Sequence, residues 1–98
     1  MALDEKALRA EVVAQARAMN ALGINQGTSG NLSVRAGAAM LITPSGIPYE
    51  ALRPAMIAKM KLDGSGASSG PLAPSSEWRF HHDIYRARAD AGAIAHTH

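Results

Sequence analysis

A pair of histidines in segment 93–98 stands at a spacing that suits metal binding. His96 and His98 are separated by one residue. If the segment forms a β-strand, side chains at i and i+2 project from the same face, about 7 Å apart along the backbone. A catalytic zinc ion uses three protein ligands and keeps a fourth position for water or substrate. The spacing therefore predicts two of three zinc ligands, unless the histidine pair is accidental.

Three short segments combine glycine or proline with hydroxyl and amide side chains: 28–31, 43–46 and 74–77. Such segments expose backbone N–H groups and let an anion approach closely. Ser75 and Ser76 are the best placed, because they open a predicted helix whose first N–H groups carry partial positive charge. The segments predict a phosphate site that needs no lysine. The alternative interpretation is ordinary turns and an ordinary helix cap.

Glu77 lies in the first turn of the same predicted helix. The helix dipole stabilises a carboxylate at this position, which is one sufficient reason for its presence. Beside a bound phosphate and a bound zinc, the same carboxylate is a general base, because the metal raises the acidity of a nearby carbon or hydroxyl. Both interpretations follow from the position of Glu77.

Hydrophobic spacing predicts the elements that hold these residues. An amphipathic helix runs from about residue 4 to residue 22, with Asp4 as its N-cap and Gly23 just after its end. Further along the chain the pattern predicts strands at 31–35, 39–43 and 56–62, a helix at 75–88 and a strand at 96–98. This order indicates an α/β fold, a layered sheet with flanking helices over one of its faces.

Two details of these elements concern histidines and flexibility. Segment 63–74 is rich in Gly, Ser and Pro, which predicts a mobile loop. In the second helix, Trp78, His81, His82 and Tyr85 recur at helical spacing. This stripe predicts that one of the two histidines is packed and the other exposed, rather than that either binds a metal.

Composition limits the class of protein. The chain has 98 residues, 47% of them hydrophobic, which is enough for one modest domain with a core. Its net charge of +2 comes without a run of basic residues, so nucleic acid is not an expected partner. The absence of cysteine fits a reducing cytoplasm. The sequence also shows no signal peptide and no apolar stretch near the roughly 18 residues of a membrane span.

Four strings, taken in order, resemble successive blocks of the class II aldolase/adducin family. They are GTSGNLSVR (27–35), LITPSGIPY (41–49), PSSEWRFH (74–81) and AHTH (95–98). The resemblance covers nearly the whole chain but only about the N-terminal half of a typical member. It implies that residues 1–98 are the N-terminal portion of a single class II aldolase/adducin domain, incomplete at the C-terminus.

The resemblance also implies a function and a role for each matching residue. The implied enzyme is a zinc-dependent aldolase that cleaves a sugar phosphate, similar to L-fuculose 1-phosphate, into dihydroxyacetone phosphate and an aldehyde. Glu77 is the implied acid/base and is able to approach the metal, while His96 and His98 are implied zinc ligands. Zinc would polarise the hydroxy-ketone oxygens while Glu77 moves the proton. The implied phosphate-binding residues are Gly30, Asn31, Ser45, Gly46, Ser75 and Ser76.

Within the family, Glu77 favours an aldolase, because the resembling pentulose-phosphate epimerases carry Asp there. Another lyase, epimerase or dehydratase activity remains an alternative. A third zinc histidine and a C-terminal tyrosine proton donor have no counterpart here, so the chain alone is expected to be inactive. The complete form is expected to be a cytoplasmic homotetramer. The alternative from another class is a truncated, non-catalytic fragment that acts through association with another chain.

Overall fold

In the computed structural model, which describes residues 4–25 and 29–97, two helices enclose an antiparallel sheet. The elements are α1 (Glu5–Ala21), β1 (Asn31–Ala36), β2 (Ala39–Ile42), β3 (Ala58–Lys61), β4 (Ser68–Ser69), α2 (Trp78–Ala87) and β5 (Ala93–His96). Two short 3-10 turns, Tyr49–Ala51 and Pro54–Met56, connect β2 to β3. The strand order across the sheet is β4-β3-β2-β1-β5. The predicted layered sheet with flanking helices is confirmed.

The first helix begins and ends where its sequence predicts. The Asp4 carboxylate accepts a hydrogen bond from the Ala7 backbone N–H at 3.0 Å, which satisfies one of the unpaired N–H groups of the first turn. Gly23 follows the last turn with φ +74°, a backbone conformation that glycine adopts without strain. One face of α1 is buried against β1 and β2. Its buried residues are Val12, Val13, Ala16 and Met19.

The sheet is covered on both faces, so the expectation that helices lie over one face is wrong. The reason is the composition of β2, in which all four residues are apolar and buried. Leu41 packs in the core shared with α1, whereas Met40 and Ile42 pack in a second core with Tyr85 of α2. A strand that is apolar at every position requires cover on each side.

Several predicted boundaries differ from the structure. The second helix begins at Trp78 rather than at residue 75, so Ser75 and Ser76 precede it and Glu77 is its N-cap residue, not part of its first turn. Met56 ends a 3-10 turn, so the third strand begins two residues later than predicted. The predicted loop 63–74 contains β4, which pairs with β3. A tight turn precedes β4: the Asp63 carboxylate accepts hydrogen bonds from the N–H of Ser65 at 2.9 Å and from its hydroxyl at 2.5 Å.

The last strand brings the C-terminal segment beside the start of β1. It spans Ala93–His96, earlier than the predicted 96–98, and runs antiparallel to β1 with Asn31 opposite His96. Thr43, directly after β2, exchanges hydrogen bonds with Leu32 near the start of β1. The start of β1 and the ends of β2 and β5 therefore meet at one end of the sheet. In the part of the chain that the structure describes, no helix is both long and apolar enough to cross a bilayer.

Candidate functional site

The carboxylate of Glu77 lies at this end of the sheet, between β1 and β5. Its Oε1 accepts a hydrogen bond from Asn31 Nδ2 at 2.8 Å and lies 3.4 Å from Nδ1 of His96. The Glu77 and His96 side chains are 29% and 36% exposed, so a small molecule can reach both. The β1–β5 register explains this arrangement, because the paired residues Asn31 and His96 present their side chains to the same face of the sheet. Glu77 and His96 therefore lie side by side, and their roles as acid/base and metal ligand stay predictions.

The donors present here are chemically suited to zinc but make an incomplete set. Zinc takes imidazole nitrogen and carboxylate oxygen, which His96 and Glu77 supply side by side. His98 lies outside the described residues, so the His96 and His98 pair stays a prediction. Among residues 4–25 and 29–97, no group of three His, Cys, Asp or Glu side chains is arranged to hold a metal ion.

Segments 43–46 and 74–77, both predicted to bind an anion, lie against each other. Pro44 and Pro74 form an antiparallel bridge. Beside it, the Ser75 N–H donates to the Thr43 carbonyl at 2.9 Å, and the Ser45 N–H donates to the Ala73 carbonyl at 3.1 Å. Segments 43–46 and 74–77, predicted separately as anion-binding loops, are therefore one continuous surface.

Three of the predicted phosphate residues on this surface are open to solvent, whereas Ser75 is not. Ser45, Gly46 and Ser76 are exposed, and Gly46 has φ +73°. Ser75 is 7% exposed, and its hydroxyl accepts a hydrogen bond from the Glu77 N–H at 3.2 Å. Ser75 thereby shapes the turn before α2, in addition to any contact with a ligand.

Gly30, the first predicted phosphate residue, is held in a position that only glycine fits. A Cβ on Gly30 would overlap the side-chain amide of Asn25, which is itself 4% exposed. On the other side, the Tyr49 hydroxyl donates to the Gly30 carbonyl at 2.5 Å. Residues 26–28, which include the predicted Thr28 of this loop, lie outside the described residues. The close approach fixes the entry of the chain into β1 just before Asn31.

A buried set of polar side chains, not predicted from the sequence, lies behind Glu77. Ser33 Oγ lies 2.6 Å from His81 Nδ1 and 2.9 Å from the Tyr85 hydroxyl. The other ring nitrogen of His81 is hydrogen-bonded to Asn31 Oδ1. The available signals were a serine within an apolar strand and a histidine four residues after Glu77 on one helix face. They become informative only when the strand facing α2 is known.

His81 and His82 are both buried, so the expectation that one of them is exposed is wrong. His81 is fully buried and His82 is 8% exposed. His82 packs edge-on against Trp78, with ring centroids 5.7 Å apart, and its Nε2 accepts a hydrogen bond from the Gly64 N–H at 3.2 Å. The turn before β4 covers this histidine, which the predicted open loop would have left exposed.

Burial lowers the pKa of His81 to about 4, with the neighbouring His96 acting in the same direction and Glu77 opposing it. A histidine with this pKa is neutral at pH 7. It can therefore donate from one ring nitrogen and accept at the other, as its two hydrogen bonds require.

Comparison with known proteins places this arrangement in a family. Residues 10–98 match the family described as Class II Aldolase and Adducin N-terminal domain. A 5-methylthioribulose-1-phosphate/5-deoxyribulose-1-phosphate aldolase of Rhodospirillum rubrum is 54% identical over 92 residues, which are 94% of this chain and 41% of that protein. The L-fuculose phosphate aldolase of Escherichia coli K12 is 45% identical over 96 residues, which are 98% of this chain and 44% of that protein.

Solved structures agree with the sequence relatives. An L-fuculose 1-phosphate aldolase superposes with a TM-score of 0.90 at 32% identity, over 98% of this chain and 46% of that one. The chain thus spans less than half the length of the curated relatives it matches. The match to the family nevertheless covers most of the chain. The chain therefore belongs to the class II aldolase and adducin N-terminal domain family.

Proposed function

We propose that the protein containing this chain is a zinc-dependent aldolase, a lyase that cleaves a ketose 1-phosphate such as L-fuculose 1-phosphate into dihydroxyacetone phosphate and an aldehyde. One observation carries the proposal. The partly exposed carboxylate of Glu77 lies beside the His96 imidazole, at the end of the predicted anion-binding segment 74–77. An acid/base group, a metal ligand and a phosphate-binding surface in one place are what this reaction needs.

The phosphate group of the substrate would bind at the joined loops. The exposed hydroxyls of Ser45 and Ser76 can bind an anion there without a lysine, and the partial positive charge at the N-terminus of α2 favours it, although the N–H groups of Ser45, Ser75 and Glu77 already donate within the loops. Asn31 is also proposed to contact the phosphate, and because its Nδ2 carries two hydrogens, donation to Glu77 leaves the other one for a ligand. The proposed phosphate-binding residues are Gly30, Asn31, Ser45, Gly46, Ser75 and Ser76.

Glu77 would carry the proton of the reaction. In the direction of synthesis it takes a proton from the carbon next to the ketone of dihydroxyacetone phosphate, and in the direction of cleavage it returns a proton to that carbon. His96 would hold the metal together with His98 and a ligand from elsewhere. When bound, zinc supplies a Lewis acid that polarises the hydroxy-ketone oxygens of the substrate.

The test is aldol cleavage by the longest natural form of the protein, loaded with zinc. Three substrates are compared, namely L-fuculose 1-phosphate, 5-methylthioribulose 1-phosphate and 5-deoxyribulose 1-phosphate, because the relatives' names specify them. Release of dihydroxyacetone phosphate is followed in a coupled assay. We expect cleavage of at least one of these and loss of the activity on removal of the metal. A complete absence of metal-dependent cleavage would contradict the proposal.

Glu77→Gln is expected to lower kcat by at least about a hundredfold, because a neutral amide cannot take the proton. Glu50→Gln is the matched control, since Glu50 is an exposed carboxylate on a 3-10 turn. Wild-type kcat in Glu77→Gln would remove Glu77 from the mechanism.

The proposed complete form is a cytoplasmic homotetramer. Support for the compartment is the lack of cysteine in the chain, and support for assembly is that the donor set around His96 is incomplete among residues 4–25 and 29–97. Sedimentation equilibrium of the longest natural form measures the assembly directly, and a monomer with full activity would contradict it.

A further inference from the structure

We propose that His81 is a positioning residue for Glu77, acting through Asn31 as the central member of a buried hydrogen-bond chain. This hydrogen-bond chain consists of Tyr85, Ser33, His81 and Asn31, and it ends on the Glu77 carboxylate. This inference rests on the proposed function, in which Glu77 moves the proton.

The four side chains are almost completely shielded from water. Asn31 and Tyr85 are each 2% exposed, and Ser33 and His81 are not exposed at all. Hydrogen bonds in such surroundings do not compete with water, and a broken one leaves a buried polar atom unsatisfied, which destabilises the folded state. The arrangement therefore resists rotation of any single side chain.

The spacing of the residues follows from the geometry of a helix lying along a strand. Glu77, His81 and Tyr85 are four residues apart, about 6 Å per step along a helix, while Asn31 and Ser33 are two residues apart, about 6.6 Å along a strand. Because the two repeats nearly coincide, Asn31 bridges Glu77 to His81, and Ser33 bridges His81 to Tyr85. The hydrogen-bond chain fixes the rotation of α2 on β1 and thereby the direction in which the Glu77 carboxylate points.

The direction of every hydrogen bond follows from the carboxylate. An ionised Glu77 only accepts, so Asn31 must donate from Nδ2 and turn Oδ1 towards His81. His81 then donates from Nε2 and accepts at Nδ1. Four donors in series point towards one carboxylate, and each polarises the next.

The remaining donors are assigned by the same logic. Since His81 accepts at Nδ1, the Ser33 hydroxyl donates to it and accepts from the Tyr85 hydroxyl. Arg35 anchors this end, because its Nη2 donates to the Tyr85 carbonyl at 2.9 Å and its guanidinium lies 4.9 Å from the centre of the Tyr85 ring. The hydrogen-bond chain therefore requires one particular tautomer of His81, which is neutral and carries its proton on Nε2.

Two substitutions at His81 separate positioning from packing. In His81→Gln the amide nitrogen can take the place of Nε2 and still donate to Asn31, whereas in His81→Asn the shorter amide reaches only the place of Nδ1. We expect His81→Asn to lower kcat for aldol cleavage about tenfold or more, and His81→Gln to recover most of kcat.

The matched control for lost stability is Val12→Ala, in the core on the opposite face of the sheet. We expect it to lower the free energy of unfolding without lowering kcat in assays well below the melting temperature. Equal kcat values for His81→Asn and His81→Gln, or a kcat of Val12→Ala as low as that of His81→Asn, would overturn the inference.

The tautomer of His81 gives a readout that does not depend on activity. Long-range 1H–15N correlation spectra of the metal-free protein identify which ring nitrogen carries the proton, and we expect Nε2. A proton on Nδ1, or on both nitrogens at pH 7, would overturn the inference alone. Absence of cleavage by the wild type would instead overturn the proposed function and, with it, the catalytic role of the hydrogen-bond chain.

Discussion

At the scale of single residues, one hydrogen-bond partner of Glu77 is the uncharged side-chain amide of Asn31. A neutral donor orients a carboxylate without forming an ion pair with it. The contact with Asn31 thus orients the carboxylate without neutralising its charge. This combination suits a group that must change its protonation state during a reaction.

The hydroxyls before α2 give a prediction about phosphate affinity. Ser75→Ala and Ser76→Ala together should weaken binding of dihydroxyacetone phosphate by about 1 to 3 kcal/mol, from loss of hydrogen bonds to a charged group. Isothermal titration calorimetry of the zinc-loaded longest form measures this. Ser68→Ala is the control, since Ser68 is an exposed serine on β4. Unchanged affinity in the double variant would exclude these serines from the phosphate site.

The lowered pKa of His81, about 4 against an ordinary 6.5, predicts acid sensitivity of the fold. As the pH falls below about 6.5, the unfolded chain binds a proton at His81 while the folded chain does not, so stability is lost towards pH 4. By pH 5 the contribution is about 2 kcal/mol. Urea unfolding at pH 7 and pH 5 should show a loss larger by this amount in wild type than in His81→Gln. Identical pH dependence of the two proteins would refute the assignment to His81.

At the scale of elements, sequence patterns predict what local chemistry decides. The limits of α1 follow from the Asp4 cap and from Gly23, and β1 follows from alternation of Leu32 and Val34. In contrast, β4 has two exposed serines and no apolar signal, and its existence depends on pairing with β3. The buried chain behind Glu77 was not predictable, because it requires knowing that α2 lies along β1.

The Asp4 cap gives a prediction about the first helix. Asp4→Ala should lower the free energy of unfolding by about 1 kcal/mol, because the Ala7 N–H loses its acceptor. Asp4→Asn keeps a side-chain oxygen and should be nearly neutral. Urea denaturation of the three proteins at pH 7 compares them. If both variants match the wild type, the cap contributes nothing to stability.

At the scale of the whole molecule, the candidate site uses segments from most of the chain, and its described residues supply only part of the donor set proposed for a metal. Gly30 and segment 43–46 come from its first half, whereas segment 74–77, which includes Glu77, and His96 come from its last quarter. The family, the layered sheet and the position of Glu77 were predictable from sequence motifs. The sequence motifs did not identify a third metal ligand. Among the described residues, no group of three potential donors is formed.

This incompleteness predicts the zinc content. We expect the dialysed 98-residue chain to retain well below one zinc per chain and the longest natural form to retain about one, which His96→Ala should remove. Elemental analysis of both proteins measures this directly. A full equivalent of zinc on the 98-residue chain would mean that another copy of the chain, or His98 with a ligand outside the described residues, completes the site.

The hydrogen bond between Asn31 and Glu77 joins residues 46 positions apart, and the one between Ser33 and Tyr85 joins residues 52 positions apart. Contacts of such long sequence separation carry a loop-closure entropy that local contacts do not, and chains dominated by them fold slowly. The carboxylate of Glu77, the proposed base, therefore acquires its orientation only after α2 has docked on β1. During synthesis on the ribosome, segments 28–31 and 43–46 emerge before α2, so the proposed chemical competence is among the last properties that the folding chain acquires.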